Sequence, residues 1–240
     1  MSRRKLLPAD NKYTRGVVAV CAGSKKYPGA ATLAVGGARR GNAGYVKYLS
    51  ANSALISQVI SKFPDVVPIP NLTNERVDSL LVGPGASTLT SIPDLPLVLD
   101  GAAISKVKTL RRRKSITVIT PHEGELKHLG VKFDGSREEI AKNIANRFGV
   151  IVVLKGNRTI VADSSQVFVD RIGGPELATA GSGDVLAGLI ASFLVAIKDG
   201  EKAFDLVCGA VSLHSKAGRQ AAKNFTSVTA LEILEELRNV

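Results

Sequence analysis

Two glycines and an acidic residue precede an apolar stretch of this sequence. Residues 178–184 read Ala-Thr-Ala-Gly-Ser-Gly-Asp, and residues 185–190 read Val-Leu-Ala-Gly-Leu-Ile. Glycines let backbone N–H groups approach an anion, and a helix amino terminus adds unpaired N–H donors and a positive dipole end. Asp184 could accept the proton of a hydroxyl that attacks a phosphate bound there. It could equally be the N-cap of the helix, a position that aspartate favours.

Polar or glycine-rich segments also follow the apolar runs that we predict as strands. The predicted strands cover residues 17–20, 80–82, 97–99, 116–119 and 150–154. The segments that follow them are residues 21–24, residues 83–85, Asp100, residues 120–125 and residues 155–159. Ligands of open α/β sheets bind at the carboxyl ends of the strands. Each segment alone is compatible with an ordinary turn, but together they predict one site at this edge.

Short apolar runs that alternate with amphipathic segments indicate an α/β fold with a largely parallel, buried sheet. Residues 159–169 form two apolar runs around Asp-Ser-Ser-Gln, which predicts a hairpin. We find no repeat or low-complexity linker, and 240 residues with 45% hydrophobic content can form one large core. The sequence therefore predicts a single domain over residues 1–240.

Three helices have clear sequence signals. A capping box at residues 136–139 predicts a helix that continues to about Phe148, and a second at residues 229–232 predicts a last helix that ends near Arg238. Apolar residues recur through residues 185–197 on a broad face, which predicts a buried helix.

Composition restricts the class of protein. No stretch reaches the roughly 20 apolar residues that span a bilayer, and the basic amino terminus lacks the apolar run of a secretory signal. We predict a cytoplasmic protein with no membrane partner, in which Cys21 and Cys208 are buried free thiols without metal-ligand spacing.

The net charge of +11 suits an anionic partner. The densest basic run, Arg111-Arg112-Arg113-Lys114, is typical of a solvated helix end. Aromatic residues make up only 5% of the chain, and basic residues do not alternate with aromatic ones. We therefore predict small molecules that carry polyphosphates as partners, and no nucleic acid.

Several segments resemble the ADP/ATP-dependent NAD(P)H-hydrate dehydratases of the ribokinase-like superfamily. The segments are Thr-Pro-His-Glu-Gly-Glu (120–125), Val-Leu-Lys-Gly-Asn-Arg-Thr (153–159), Ala-Gly-Ser-Gly-Asp-Val-Leu-Ala-Gly (180–188), Ala-Gly-Ser (22–24), Tyr-Pro-Gly-Ala-Ala (27–31) and Gly-Pro-Gly (83–85). The Gly-Ala-Ala and Thr-Pro-His segments are more specific to the dehydratases than the others. The likeness covers about residues 11–221. It implies a ribokinase-like three-layer α/β/α fold and a stand-alone dehydratase, because nothing matches the family's epimerase domain.

The resemblance also implies an activity and a set of site residues. The activity is a metabolite-repair lyase reaction that converts (6S)-NAD(P)H hydrate to NAD(P)H, with ADP or ATP as co-substrate and Mg²⁺ as cofactor. Asp184 is the implied catalytic base. The implied nucleotide-binding residues are Lys155, Gly156, Asn157, Arg158, Thr159 and Gly183, and the implied substrate-binding residues are Ala31, Gly85, His122 and Asp184. No residue is implied as a direct metal ligand, and a homo-oligomer is implied because family members often form oligomers.

Alternatives remain at this point. A ribokinase-like kinase that acts on a vitamin-precursor alcohol would use the same loop and base and stop at the phosphorylated product. A non-catalytic nucleotide-binding protein is a third possibility, since the family commonly has a second carboxylate after Asp100 and this chain has Gly-Ala-Ala-Ile there. Residues 155–159 alone resemble a hairpin turn. Glu125 could position Mg²⁺ or cap a helix, and His214, on an apolar helix face, is predicted to be structural.

Overall fold

A nine-stranded sheet forms the centre of the molecule. The computed structural model describes residues 3–110, 113–131 and 134–240. The strands are β1 (Val17–Cys21), β2 (Tyr45–Leu49), β3 (Val67–Ile69), β4 (Ser79–Val82), β5 (Leu97–Leu99), β6 (Thr117–Ile119), β7 (Ile151–Leu154), β8 (Ile160–Ala162) and β9 (Val167–Val169). Their order is β3-β2-β1-β4-β5-β6-β7-β8-β9. Pairing is parallel from β3 to β7, and β8 and β9 are antiparallel.

Helices cover both faces of the sheet. They are α1 (Gly29–Arg39), α2 (Ser53–Lys62), α3 (Leu126–Leu129), α4 (Arg137–Phe148), α5 (Ser182–Leu194), α6 (Ala203–Asn224) and α7 (Ala230–Glu236). Side chains alternate along a strand, so Val18 and Val20 of β1 pack on the face that carries α1 and α5, whereas Ala19 and Cys21 pack on the face that carries α3 and α4. The result is a three-layer α/β/α fold, which confirms the α/β class predicted from the sequence patterns and the layering that the resemblance implies.

The predicted strands, helices and hairpin are confirmed, with small shifts at their ends. Residues 116 and 150 lie just outside β6 and β7, and the hairpin is β8–β9. The capping box at Ser136 precedes α4, and the one at Thr229 precedes α7, which ends at Glu236 rather than near Arg238. The helix predicted at residues 185–197 is α5 with a following 3-10 helix, Val195–Asp199.

The prediction of a solvated helix end at residues 111–114 is wrong for Arg113. This side chain is only 8% exposed, and its guanidinium donates hydrogen bonds to the carbonyls of Ile92 and Leu95. It is therefore an anchor for the loop before β5. Arg111 and Arg112 lie outside the described residues.

Cys21 and Cys208 are free thiols, the first buried and the second partly buried. No helix in the described ranges has the length and apolar composition needed to cross a bilayer.

Helices α1 and α5 approach each other at glycines, and this contact fixes the direction of α5. A Cβ added to Gly37 would lie 2.1 Å from the carbonyl oxygen of Val185, and one added to Gly188 would lie 1.9 Å from that of Ala34. Only glycine therefore permits the observed distance between the two backbones. The amino terminus of α5 carries residues 181–184, so this packing also orients the candidate site.

We expect Gly37→Ala to lower the free energy of unfolding by about 2 kcal/mol or more, because the added methyl must separate two packed backbones. Gly29, at the start of the same helix, is the matched control, since a Cβ there would meet nothing within 4 Å. Gly29→Ala should change stability by less than about 0.5 kcal/mol. Urea unfolding of both variants measures the difference, and equal stabilities would contradict the proposed role of the glycine contact.

Candidate active site

The carboxyl ends of five parallel strands bring the predicted site residues to one edge of the sheet. These strands, β1, β4, β5, β6 and β7, are consecutive neighbours in the sheet. The loops after them touch, since Gly23 N–H donates to the Pro84 carbonyl and Lys155 N–H donates to the Pro121 carbonyl, both at 2.8 Å. The expectation of one shared edge is therefore confirmed.

Asp184 is not the N-cap of α5. The N-cap is Gly181, whose φ of +89° is left-handed and whose added Cβ would lie 2.3 Å from the Leu33 side chain. Asp184 is the third helical residue, in the first turn, where a carboxylate interacts favourably with the helix dipole. The alternative of a purely capping role is thereby removed, and the carboxylate is available for chemistry.

Burial and charge both act on the Asp184 carboxylate. Burial, followed by repulsion from Asp100, raises the pKa of Asp184 to about 7, and attraction by Lys155 opposes this rise. Such a pKa matches that of a general base near neutral pH. The Lys155 Nζ lies beside Gly183, since a Cβ added there would be 3.2 Å from it. A cation, a helix amino terminus and a potential base thus meet at one point.

Lys155 is held by a buried ion pair. Its Nζ lies 2.7 Å from Asp100 Oδ1, and the Thr120 hydroxyl donates to the same oxygen at 2.6 Å. Asp100 follows β5 and Lys155 follows β7, so the lysine side chain extends across the end of β6. Burial disfavours its charge, but attraction by Asp100, Glu125 and Asp184 outweighs burial and raises the pKa of Lys155. The ammonium is therefore a permanent cation.

The loop from Lys155 to Thr159 connects the antiparallel strands β7 and β8, so it is also the hairpin turn that its sequence suggests. Arg137, the first residue of α4, fastens it. The guanidinium donates to the carbonyls of Arg158, Lys155 and Leu154 at 2.6, 3.1 and 3.4 Å, and its Nε lies 2.9 Å from Glu123. Arg137 thus joins this loop to the segment that follows β6.

The resemblance noted above implies that this loop binds ADP. On that expectation, Arg137→Lys should raise the Kd for ADP about tenfold, because one ammonium cannot replace a guanidinium that binds several carbonyls at once. Arg147→Lys is the control, since Arg147 lies on the same helix and its guanidinium donates to the Gly130 carbonyl, away from the 155–159 loop. Isothermal titration calorimetry measures both Kd values. An unchanged Kd for Arg137→Lys would show that the loop does not depend on this guanidinium.

The predicted substrate residues lie in two places. His122 lies beside the Lys155 loop, where its backbone bridges to Lys155 and its N–H donates to Glu125 at 2.8 Å. Gly85 has a φ of +67°, and its added Cβ would lie 2.9 Å from the Tyr27 carbonyl oxygen. Ala31 is fully buried against Gly23. Its methyl group supports the loop after β1, so a ligand contact of Ala31 itself stays a prediction.

Most of the predicted nucleotide residues surround one cavity of about 250 Å³ at this edge. It is lined by His122, Lys155, Gly156, Thr159, Leu177, Thr179, Ser182, Gly183, Leu186 and His214. Asn157 and Arg158 are exposed at the tip of the loop. Gly85 and Ala31 lie toward β4 and β1, on the other side of the strand ends. The edge therefore has one part beside α5, which contains this cavity, and another part beside β1 and β4.

Sequence reasoning did not predict the contacts that several residues make at this edge. Thr120 and Asp100 were visible as polar residues at strand ends, and the order of the strands would have paired them with Lys155. Ser182 lies within the Gly-Ser-Gly-Asp segment, but its sequence gives no reason to connect it with His214. Arg137 had only the signal of a first helical residue. The described residues contain no group of three or more His, Cys, Asp or Glu that could hold a metal ion.

Comparison with known proteins identifies the family of the chain. A family model described as NAD(P)H-hydrate dehydratase matches residues 18–239. An ADP-dependent (S)-NAD(P)H-hydrate dehydratase of Lactococcus lactis is 32% identical, with 98% of this chain and 92% of that protein covered. A bifunctional NAD(P)H-hydrate repair enzyme of Gloeobacter violaceus is 36% identical over 90% of this chain. The chain spans about half the length of such bifunctional relatives, 47% in this case.

A solved structure is similar over nearly the whole chain. It is the ADP/ATP-dependent NAD(P)H-hydrate dehydratase of Bacillus subtilis, co-crystallised with ATP and Mg²⁺. The TM-score is 0.89 at 26% identity, with 99% of this chain and 93% of that chain covered. Hydroxyethylthiazole kinase of Pyrococcus horikoshii has a TM-score of 0.57 at 14% identity, a likeness of fold alone.

Proposed function

Since the chain belongs to the NAD(P)H-hydrate dehydratase family, we propose that it removes water from NAD(P)H hydrate in a reaction driven by ADP or ATP. One structural observation carries this proposal. Asp184, with its pKa raised to about 7, lies in the first turn of α5 next to the Lys155 ammonium. A base, a cation and unpaired backbone donors are what transfer of a phosphoryl group to a hydroxyl requires.

The proposed reaction has two chemical steps. Asp184 takes the proton of the ring hydroxyl as its oxygen attacks the terminal phosphorus of the nucleotide, and AMP leaves when the substrate is ADP. The ring nitrogen then supplies electrons as the C–O bond breaks and inorganic phosphate leaves. Loss of a proton from the adjacent ring carbon restores NAD(P)H. Phosphorylation is needed because hydroxide is a poor leaving group and phosphate is a much better one.

We assign the phosphates of the nucleotide to the cavity beside α5. Lys155 Nζ and the backbone N–H groups of residues 181–183 would contact the transferring phosphoryl group, and residues 156–159 would hold the rest of the nucleotide. The hydrated nicotinamide would lie toward Gly85, His122 and Ala31. We assign Asp184 to the junction of these two parts, from which it would reach the hydroxyl of the hydrated ring.

Mg²⁺ would arrive with the nucleotide in this proposal. Mg²⁺ is commonly held by substrate phosphates, waters and one or two carboxylates rather than by a complete set of protein ligands. Asp100 is already paired with Lys155, so Glu125 and Asp184 are the carboxylates that could contact its waters. The ion would neutralise phosphate charge, while the protein residues position the nucleotide and accept the proton.

The decisive experiment incubates the purified protein with NADH hydrate, Mg²⁺ and either ADP or ATP. Formation of NADH is followed by the absorbance of its reduced nicotinamide ring. We expect NADH to form with stoichiometric release of AMP and phosphate from ADP. Nucleotide consumption that yields a stable phosphorylated alcohol, without NADH, would favour a small-molecule kinase. No consumption of either nucleotide would favour a non-catalytic binding protein.

A further inference from the structure

His214 is a buried histidine that the proposed chemistry does not use. It lies on α6 and is only 3% exposed, yet its side chain lines the cavity beside α5. Its Nε2 lies 3.3 Å from the hydroxyl oxygen of Ser182, the first residue of α5. The prediction that it is structural accounts for its burial, but not for its contact with a polar side chain at the phosphate end of α5.

The imidazole is neutral in this environment. Burial lowers the pKa of His214 to about 4, against opposing effects of a hydrogen bond with the Ser182 backbone and of the buried Asp170 carboxylate. A neutral imidazole has one N–H donor and one acceptor nitrogen. Nε2 therefore either donates to the Ser182 oxygen or accepts its proton.

The surroundings of Ser182 favour donation from Nε2. The Lys155 Nζ beside Gly183 and the amino end of α5 make this cavity suitable for an anion. If Ser182 gave its proton to His214, only lone pairs of the hydroxyl would face that anion. If Nε2–H donates instead, the hydroxyl proton of Ser182 is free to point into the cavity.

We propose that His214 is a positioning residue that donates from Nε2 to Ser182 and thereby directs the Ser182 hydroxyl proton toward a phosphate oxygen of the bound nucleotide. This rests on the proposed nucleotide site. It adds the side-chain hydroxyl of Ser182 to the phosphate contacts, beyond Lys155 and the backbone N–H groups of residues 181–183. His214 itself does not touch the nucleotide.

Calorimetric titration with Mg²⁺-ADP and with adenosine tests the proposal. We expect Ser182→Ala and His214→Leu each to raise the Kd for ADP, by about tenfold for the lost hydrogen bond to a charged group. The Kd of the double variant for ADP should be about equal to the higher of the two single-variant Kd values, because both changes remove the same interaction. Adenosine, which lacks phosphate, should bind all variants equally. His214→Gln, whose Nε2 can donate from a similar position, should recover most of the ADP affinity.

Ser192→Ala is the matched control, because Ser192 is a buried serine on the same helix whose hydroxyl accepts from Ala43 N–H, far from the cavity. It should leave the Kd for ADP unchanged. If His214→Leu does not fold, ¹⁵N NMR of the ADP complex of the unmodified protein decides the matter: an Nε2–H tautomer supports the proposal, and an Nδ1–H tautomer overturns it.

Two failures remain distinguishable. Additive effects of the two substitutions, or equal losses for ADP and adenosine, would overturn the role of His214 even if the protein forms NADH. The opposite result is a protein that binds ADP, shows non-additive effects of the Ser182 and His214 substitutions, and forms no NADH. It would overturn the dehydratase activity and still support the phosphate-directing role of His214.

Discussion

Asp184→Asn is expected to lower kcat about 10²–10⁴-fold, the usual contribution of a general base, while the Kd for ADP changes little. Asparagine has nearly the shape of aspartate but cannot accept the proton of the attacking hydroxyl. The phosphate contacts proposed for Lys155 and the backbone of residues 181–183 remain in place. Turnover is measured by NADH formation and binding by calorimetry. A variant with near-normal turnover would remove Asp184 from the mechanism.

The pH dependence of the unmodified protein follows from the same carboxylate. With the pKa of Asp184 near 7, the unprotonated base is lost as the pH falls below that value. We expect kcat/KM to decline about tenfold for each pH unit on this acid limb. Asp205→Asn is the control, because Asp205 is also the third residue of its helix, α6, and lies outside the site. It should leave both the rate and the acid limb unchanged.

The raised pKa of Asp184 also predicts a gain in stability for the asparagine variant. Between about pH 4 and pH 7 the folded state keeps a proton that the unfolded chain releases, so the carboxylate lowers stability as the pH rises through this window. Asparagine does not titrate. At pH 8 the free energy of unfolding of Asp184→Asn should therefore exceed that of the unmodified protein by about 2 kcal/mol after allowance for partial exposure, and its unfolding temperature should be higher. The gain should shrink toward pH 5. Calorimetry at both pH values tests this sign.

The residues that local patterns predict are those whose environment is set by neighbours in sequence. Ser136 before α4 and the β8–β9 hairpin follow from short-range hydrogen bonds and alternation, and they are observed as predicted. The convergence of polar segments at one edge follows from the parallel sheet alone. The sequence places Asp184 near the amino terminus of a helix. It does not show whether Asp184 or Gly181 is the N-cap, because the left-handed backbone of Gly181 is not specified by local sequence.

Contacts between distant segments could not be predicted in the same way. The Asp100–Lys155 pair requires that β6 lie between β5 and β7, and strand order is a property of the whole sheet. His214 reaches Ser182 only because α6 packs on α5, and Arg137 reaches the 155–159 loop only because α4 begins beside it. In each case the sequence gives the chemistry of a side chain, whereas tertiary packing decides its partner.

The Asp100–Lys155 ion pair gives the second large expected effect. Asp100→Ala leaves the Lys155 ammonium without its nearest counter-charge in a site where the lysine side chain is only 18% exposed. Removing one partner of a buried pair typically costs about 3–5 kcal/mol. We expect the free energy of unfolding to fall by about 3 kcal/mol, toward the lower end because some solvent reaches Lys155. Urea unfolding measures it.

An exposed ion pair supplies the control for that loss. Arg39 and Asp65 are only 2.6 Å apart, but Asp65 is 58% exposed, so Asp65→Ala should cost less than about 1 kcal/mol. The double variant Asp100→Leu with Lys155→Met should recover part of the stability lost in Asp100→Ala, because no charge is then left buried. A loss in Asp100→Ala no larger than that in Asp65→Ala would show that Lys155 is well solvated.

Asp100→Ala should also lower the pKa of Asp184, an effect that is independent of the loss of stability. Repulsion from Asp100 helps to raise the pKa of Asp184, and Lys155 lowers it. Asp100→Ala removes the repulsion and leaves the Lys155 charge to interact with Asp184, so the pKa of Asp184 should fall. The acid limb of kcat/KM should then move to lower pH, while the maximal rate declines because a weaker base assists the attack less. An acid limb that stays in place in Asp100→Ala would mean that repulsion from Asp100 does not contribute to the raised pKa of Asp184.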